Sequence, residues 1–200
     1  MSVEMTADGN YTDQDNEVRE IISSISMTVI LISFSMLFAS LFLGYIYYRA
    51  NQSIWPPMGM DRLSLTYPLL STFCIVMSSV FYLMSEKFLE LKEAKKVRFS
   101  YLIVLIFGAG FFFSQLKLWS ALEMIGIYAG SGIFGSILHG FTWIHAAHVV
   151  LGYLCLMCLI PTIYFKKQKP VDRLKLKNIG KFWHFLGFIW LLMFVFIFVL

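Results

Sequence analysis

Five long apolar stretches, separated by polar or charged runs, set the pattern of this 200-residue chain. They cover roughly residues 25–48, 67–84, 99–119, 134–165 and 182–200. Each is long enough to cross about 30 Å of hydrocarbon as a helix. None alternates apolar and polar residues with period two, so strands are not expected. The pattern predicts an all-α, polytopic membrane bundle of five transmembrane helices, forming one domain over residues 25–200. Residues 1–24 read as a mobile acidic tail, pinned where it meets the first helix. The tandem prolines of Trp55-Pro56-Pro57 forbid helix continuation after the first span and fix an extended turn. Pro161 is expected to kink the fourth helix near its end.

Composition supports the membrane reading: 58% of residues are apolar and 14% charged. Charge adds orientation. With five spans, the N-terminal tail and the second and fourth connections share one side. That side carries Arg19, then Lys87, Lys92, Lys95, Lys96 and Arg98, then Lys166, Lys167, Lys169, Arg173, Lys175, Lys177 and Lys181. Arg49, Arg62 and Lys117 fall on the other. Thirteen cations against three predict a cytoplasmic N-terminus and a C-terminus on the outer, periplasmic side. The net charge of +4 then reflects topology and anionic headgroups rather than nucleic acid, for which no basic patch interleaved with aromatics is present. The acidic first 24 residues also lack the positive start of a secretory signal. Tyr45, Tyr47, Tyr48 and Trp55 are expected in an interfacial belt, and Lys117 is expected to snorkel to the headgroups.

Two motifs carry no chemistry. Cys155 and Cys158 make a Cys-x-x-Cys inside an apolar helix, where a thiolate is disfavoured, and are expected to fill the core. Gly130-Ser-Gly132-Ile-Phe-Gly135 matches the dinucleotide fingerprint, but that pattern needs a strand before it and a βαβ unit around it.

All four histidines, His139, His145, His148 and His184, fall in the last two spans. A histidine in a bilayer is a metal or haem ligand, a proton relay or a packed hydrogen-bonding residue. At about 100° per residue, His145 and His148 share a helix face while His139 lies opposite His148. Counting from the apolar ends puts His148 and His184 roughly 20 Å apart in depth, too far for one metal. No carboxylate sits in an apolar interior to complete a relay. The expected role of His145 and His148 is hydrogen bonding across the bundle.

Several phrases together resemble subunit III of the haem-copper respiratory oxidases, the cytochrome c oxidase subunit III family, in its short five-helix bacterial form. Trp55-Pro56-Pro57-x-Gly59 with Pro68 and Ser78-Ser79 resembles the first outer loop and next helix. Gln115 stands where the family carries a glutamine, and His145-x-x-His148-Val149-x-x-Gly152 resembles its His-Gly-x-His-Val run. Trp183-His184-Phe185 with Trp190 resembles its last helix. The likeness spans about 175 residues, from the first helix to the C-terminus. It departs where the family carries carboxylates: Phe34, Leu118 and Gly187 stand in their places, and Ala146 replaces a glycine.

The resemblance implies a non-catalytic accessory subunit, with no catalytic, cofactor or metal residues of its own. Haem and copper would lie in subunits I and II, its partners, and this chain would steady subunit I and hold phospholipid. A bacterial cytoplasmic membrane would be its location. The Trp-Pro-Pro phrase leans towards the cytochrome c oxidases over the quinol oxidases. An accessory protein of a nitric-oxide reductase, or a free-standing membrane metal or haem protein using His145 and His148, are the alternatives.

Overall fold

A computed structural model describes the backbone of residues 5–53, 65–164 and 170–199, and the side chains of residues 18–53, 65–164 and 173–199. Five helices follow one another: α1 (Met5–Ala50), α2 (Thr66–Glu90), α3 (Ala94–Met124), α4 (Ile133–Tyr164) and α5 (Pro170–Met193). A π-helical turn, Phe194–Val199, extends α5. All five are long and apolar enough to cross a membrane. Trp55, Pro56 and Pro57 lie outside the described residues.

The helices outrun the apolar stretches at several ends. Hydropathy marks where a helix meets hydrocarbon, whereas the backbone ladder continues through polar residues wherever nothing breaks it. The acidic segment expected as a mobile tail is therefore helical from Met5. Most of the basic run before Phe182 is likewise the start of α5, with Pro170 at its first turn, where a missing N–H costs nothing. Pro161 does not end α4, which runs three residues beyond it to Tyr164. There Arg98 donates Nη2 to the Tyr164 carbonyl at 3.0 Å, and the Tyr164 hydroxyl donates to the Arg98 carbonyl at 2.8 Å.

The connection between α2 and α3 shrinks to three residues. Glu93 N–H donates to the Phe88 carbonyl and Lys92 N–H to that of Leu89, the Schellman pattern. Its left-handed position holds Lys92, at φ 59°, rather than glycine. The end of α3 repeats the pattern with Gly126 at φ 83°, and Ile127 packs back beside Leu122 in the core.

Between helices, lipid tails are as apolar as the core, so association depends on close packing and on buried hydrogen bonds. α2 and α3 form the tightest pair, α5 lies against α1, α2 and α4, and α4 also meets α3. Tyrosine hydroxyls stitch these contacts by donating to backbone carbonyls of other helices: Tyr82 to Leu176 at 2.7 Å, Tyr101 to Leu156 at 2.6 Å and Tyr153 to Leu105 at 3.1 Å. Tyr45, expected at the interfacial belt, is buried instead and donates to Phe196 at 2.8 Å. A π-turn pairs each N–H with a carbonyl one residue further back than an α-helix does, which leaves carbonyls open to such a donor.

α1 is the loosely held member. Its inward side chains meet α4 through aromatic rings, with Phe42 and Tyr45 both against Phe141. Asn178 of α5 adds a hydrogen bond from Nδ2 to Ser23 Oγ at 2.9 Å.

The cysteine expectation fails for the α4 pair. Cys158 is exposed and Cys155 half-buried, while Cys74 on α2 is the buried one. A thiol is apolar enough to face lipid as readily as core, so the sequence could not place it.

Candidate functional site

α4 and α5 run antiparallel, and their register sets the surroundings of the histidines. His145 stacks on Trp190 with ring centres 5.8 Å apart and interplanar angle 29°. Seven residues along α4, a Cβ on Gly152 would meet Leu186 at 2.8 Å, Trp183 at 3.3 Å and Phe182 at 3.5 Å. His148 is one turn from Gly152, about 6 Å along the axis, so it lies at nearly the depth of His184. The expected separation of roughly 20 Å is wrong, because α5 starts twelve residues before its apolar stretch. Direction keeps the two rings apart. His148 turns to α1, packing on Phe34 at 4.4 Å and Phe38 at 5.6 Å, while His184 turns to α2, edge-on to Tyr82 at 5.6 Å.

Hydrogen bonding across the bundle is also not what these histidines do. His148 Nδ1 donates to the Ile144 carbonyl at 2.6 Å and His139 Nδ1 to that of Gly135 at 3.0 Å, each within α4. His145 is fully enclosed, and neither of its ring nitrogens has a partner. Its neighbours are rings: Phe38, Phe111 and Trp190. Among the described residues no three His, Cys, Asp or Glu side chains gather as a metal site would need.

A buried imidazole without partners costs about 1–3 kcal/mol. A phenyl ring removes that cost but is larger than an imidazole, and crowding of the enclosed site offsets part of the gain. His145→Phe is therefore expected to lie within about 1 kcal/mol of the parent in a detergent unfolding titration. A loss of more than about 3 kcal/mol, beyond what overpacking costs, would mean that the imidazole carries an interaction beyond packing.

Beside the tyrosine hydroxyls, further cross-helix hydrogen bonds come from indoles, small hydroxyls and Gln115. Trp183 Nε1 donates to Ser78 Oγ at 3.1 Å, and Ser78 donates on to the Val104 carbonyl at 3.0 Å. Trp190 Nε1 donates to Thr72 Oγ1 at 3.0 Å, and Trp119 Nε1 to Thr142 Oγ1 at 3.1 Å. Gln115 is buried and donates Nε2 to Ser71 Oγ at 3.0 Å, beside the Ser71–Ser114 hydroxyl pair at 2.7 Å. Gln115, Trp183 and Trp190 thus join one seam along α2, α3 and α5. Val149 is buried at the centre of α4, and Phe185 is partly buried against the core. Ser71, Thr72, Ser114 and Thr142 were not foreseen; a small hydroxyl in an apolar helix gives no sign of its partner.

The positions of Phe34, Leu118 and Gly187, where the resemblance expects carboxylates, are filled by packing. Phe34 covers His148 and lies 5.7 Å from Phe182, and Leu118 is buried. A Cβ at Gly187 would touch Ser79 and Ile75 of α2. Lys117 rests over the Phe113 ring at 5.5 Å.

Architecture and site together define a multi-pass membrane helical bundle whose polar interior groups bind helices to one another. Comparison with known proteins agrees over the whole chain. Residues 1–200 match the family described as cytochrome c oxidase subunit III, and the chain belongs to that family. It is similar to cytochrome c oxidase subunit 3 of Thermostichus vulcanus, 26% identical over 181 residues, covering 88% of this chain and 86% of the relative. It is also similar to cytochrome c oxidase subunit 3 of Corynebacterium diphtheriae, 27% identical over 175 residues, with 86% and 85% covered. Cytochrome bo(3) ubiquinol oxidase subunit 3 of Buchnera aphidicola is 24% identical over 174 residues, with 85% and 89% covered.

Proposed function

We propose that this chain is the accessory subunit III of a respiratory haem-copper oxidase, steadying a catalytic subunit that reduces oxygen. Family membership over the full length carries the reading. The interior supports it, since the histidines pack and Ser71, Ser78, Ser114, Thr142 and Gln115 bond neighbouring helices. Subunits I and II are the partners, and they hold the haem and copper. The bacterial cytoplasmic membrane is the location, with the basic connections on the inner side and phospholipid bound at the surface.

α1 is the surface that supports docking. Its inward positions Met27, Leu31, Phe34, Phe38, Leu41, Tyr45 and Tyr48 alternate steps of four and three. Outward, Val18, Ile22, Ile25, Val29, Ile32, Met36, Leu43 and Ile46 follow the same alternation, completed by Ala39, and are exposed. Such spacing suits a second helix. Ser23 lies level with Asn178, between Lys177 and Lys181 at the membrane surface. Val18 and Ile22 thus stand at or beyond the headgroups, where acyl chains cannot cover them.

Purification of the tagged chain from its native membrane in mild detergent tests the reading. An oxygen-reducing haem-copper subunit is expected to accompany it, and that companion's cytochrome or quinol site identifies the electron donor. Recovery of the chain alone, carrying its own haem or metal, would overturn the proposal, and a nitric-oxide reductase companion would redirect it.

A further inference from the structure

Between α2 and α5 lies a cavity of about 230 Å³, lined by Ile75, Ser79 and Leu83 of α2 and by His184, Gly187 and Phe188 of α5. Leu83 and Phe188 are exposed at its rim, so it opens to the hydrocarbon around the bundle. Ser79 lies thirteen residues from one end of α2 and eleven from the other. At about 1.5 Å per residue it stands near mid-span, well away from the headgroups of either surface.

Two polar groups of this cavity are left unused. Ser71, Thr72, Ser78 and Ser85 of α2 each donate to a carbonyl. Ser79, on the same helix, has no hydrogen bond among the described residues. Nε2 of His184 is buried without a partner. Tyr82 meets that ring edge-on at 5.6 Å, but its hydroxyl is committed to the Leu176 carbonyl. Gly187 brings the two groups together. A Cβ there would come within 3.3 Å of Ser79 Oγ, and His184 lies one turn before it on the same face of α5. The glycine thus keeps open the space where hydroxyl and imidazole converge. At this depth an unpaired polar group is costly, since hydrocarbon offers neither donor nor acceptor.

We infer that this cavity binds the ring of an isoprenoid quinone. The Ser79 hydroxyl and an imidazole N–H of His184 donate to one ring carbonyl, whose oxygen has a lone pair for each. The tail stays in the bilayer. Size agrees, because pockets that enclose a whole ligand begin at about 300 Å³. This smaller one takes a single ring and leaves a long chain outside. Depth selects the class. Phosphate, ammonium and carboxylate groups stay at the membrane surface, because stripping water from a charge is costly. A quinone is neutral and carries its carbonyls into the apolar layer. A plain hydrocarbon chain at this depth brings no acceptor to the two donors. The inference goes beyond the accessory-subunit reading and needs only that α2 and α5 span the membrane.

The test is photolabelling of the complete oxidase in phosphatidylcholine discs with an azido-benzoquinone bearing a decyl tail, the label being mapped by peptide mass spectrometry. Label is expected within residues 75–83 or 184–191 of this chain, and excess unlabelled decylbenzoquinone is expected to remove it. An azido-benzene with the same tail but no carbonyl is expected to label these residues about tenfold less, the factor that two hydrogen bonds sustain. Ser79→Ala with His184→Phe is expected to bring the quinone probe down to that level. Ser79→Ala alone, a mild change at a half-buried position, is expected to lower labelling about threefold. Ser33→Ala is the control, since that exposed hydroxyl of α1 already donates to the Val29 carbonyl. Equal labelling by the two probes, or labelling unchanged in the double variant, overturns the inference. So does the absence of label from both segments, the result expected if a helix of another subunit fills the cavity. Recovery of the catalytic subunit is scored in the same preparation. If it is absent, the accessory-subunit reading fails, and labelling of the isolated chain in the same discs decides this inference by itself.

Discussion

Trp183→Ala is expected to cost about 3 kcal/mol in an unfolding titration in mixed detergent micelles. Trp183 is completely buried on α5 and reaches three other helices. Its indole nitrogen donates to Ser78 of α2. Its ring edge lies 3.5 Å from where a Cβ on Gly108 of α3 would stand, and 3.3 Å from the corresponding point on Gly152 of α4. Truncation removes all three contacts and leaves a void that neighbouring helices cannot fill without moving. Because lipid is as apolar as the core, little of the cost is transfer; it is lost packing. The hydrogen bond is the smaller part, about 0.6 kcal/mol in comparable membrane pairs. Trp183→Phe should therefore keep most of the stability. If Trp183→Ala unfolds within 1 kcal/mol of the parent, the bundle does not pivot on this residue.

Gly152→Leu should separate α4 from α5. Even a methyl group at Gly152 would press on Leu186 at 2.8 Å, a contact that the flexible end of a leucine can relieve. A full leucine must also displace Trp183 and Phe182, both of them buried. Overpacking of this kind costs about 1–3 kcal/mol, and the displaced ring takes the Ser78 hydrogen bond with it. Lower yield of the chain in the purified oxidase and an earlier unfolding midpoint are expected together. Gly140→Leu on the same helix is the control, since a Cβ there meets nothing within 4 Å. Equal losses at the two positions would show that bulk on α4, rather than the α4–α5 contact, is responsible.

Two features of the helices set the histidines apart from the sequence expectation. α5 begins at Pro170, well before its apolar stretch, so His184 lies more than three turns into its helix. His139 and His148 use the carbonyl four residues back, which any helix offers, rather than a partner across the bundle. Donors that do cross, among them the indoles of Trp119, Trp183 and Trp190 and the hydroxyls of Tyr82, Tyr101 and Tyr153, look in the sequence like any other membrane aromatics.

The sequence by itself determined the class, the family resemblance, the number of spans and the approximate limits of α4. Hydrophobic length and the order of a few phrases suffice for these, because hydrocarbon admits a helix and rejects an unpaired backbone. Which side of each helix faces its neighbours was decided only by the tertiary structure. In water, polarity separates the buried face from the exposed one. In a bilayer both faces are apolar, so the inward positions of α1, the outward turn of Cys158 and the enclosure of His145 among three rings depend on shape and hydrogen bonding between helices far apart in the chain.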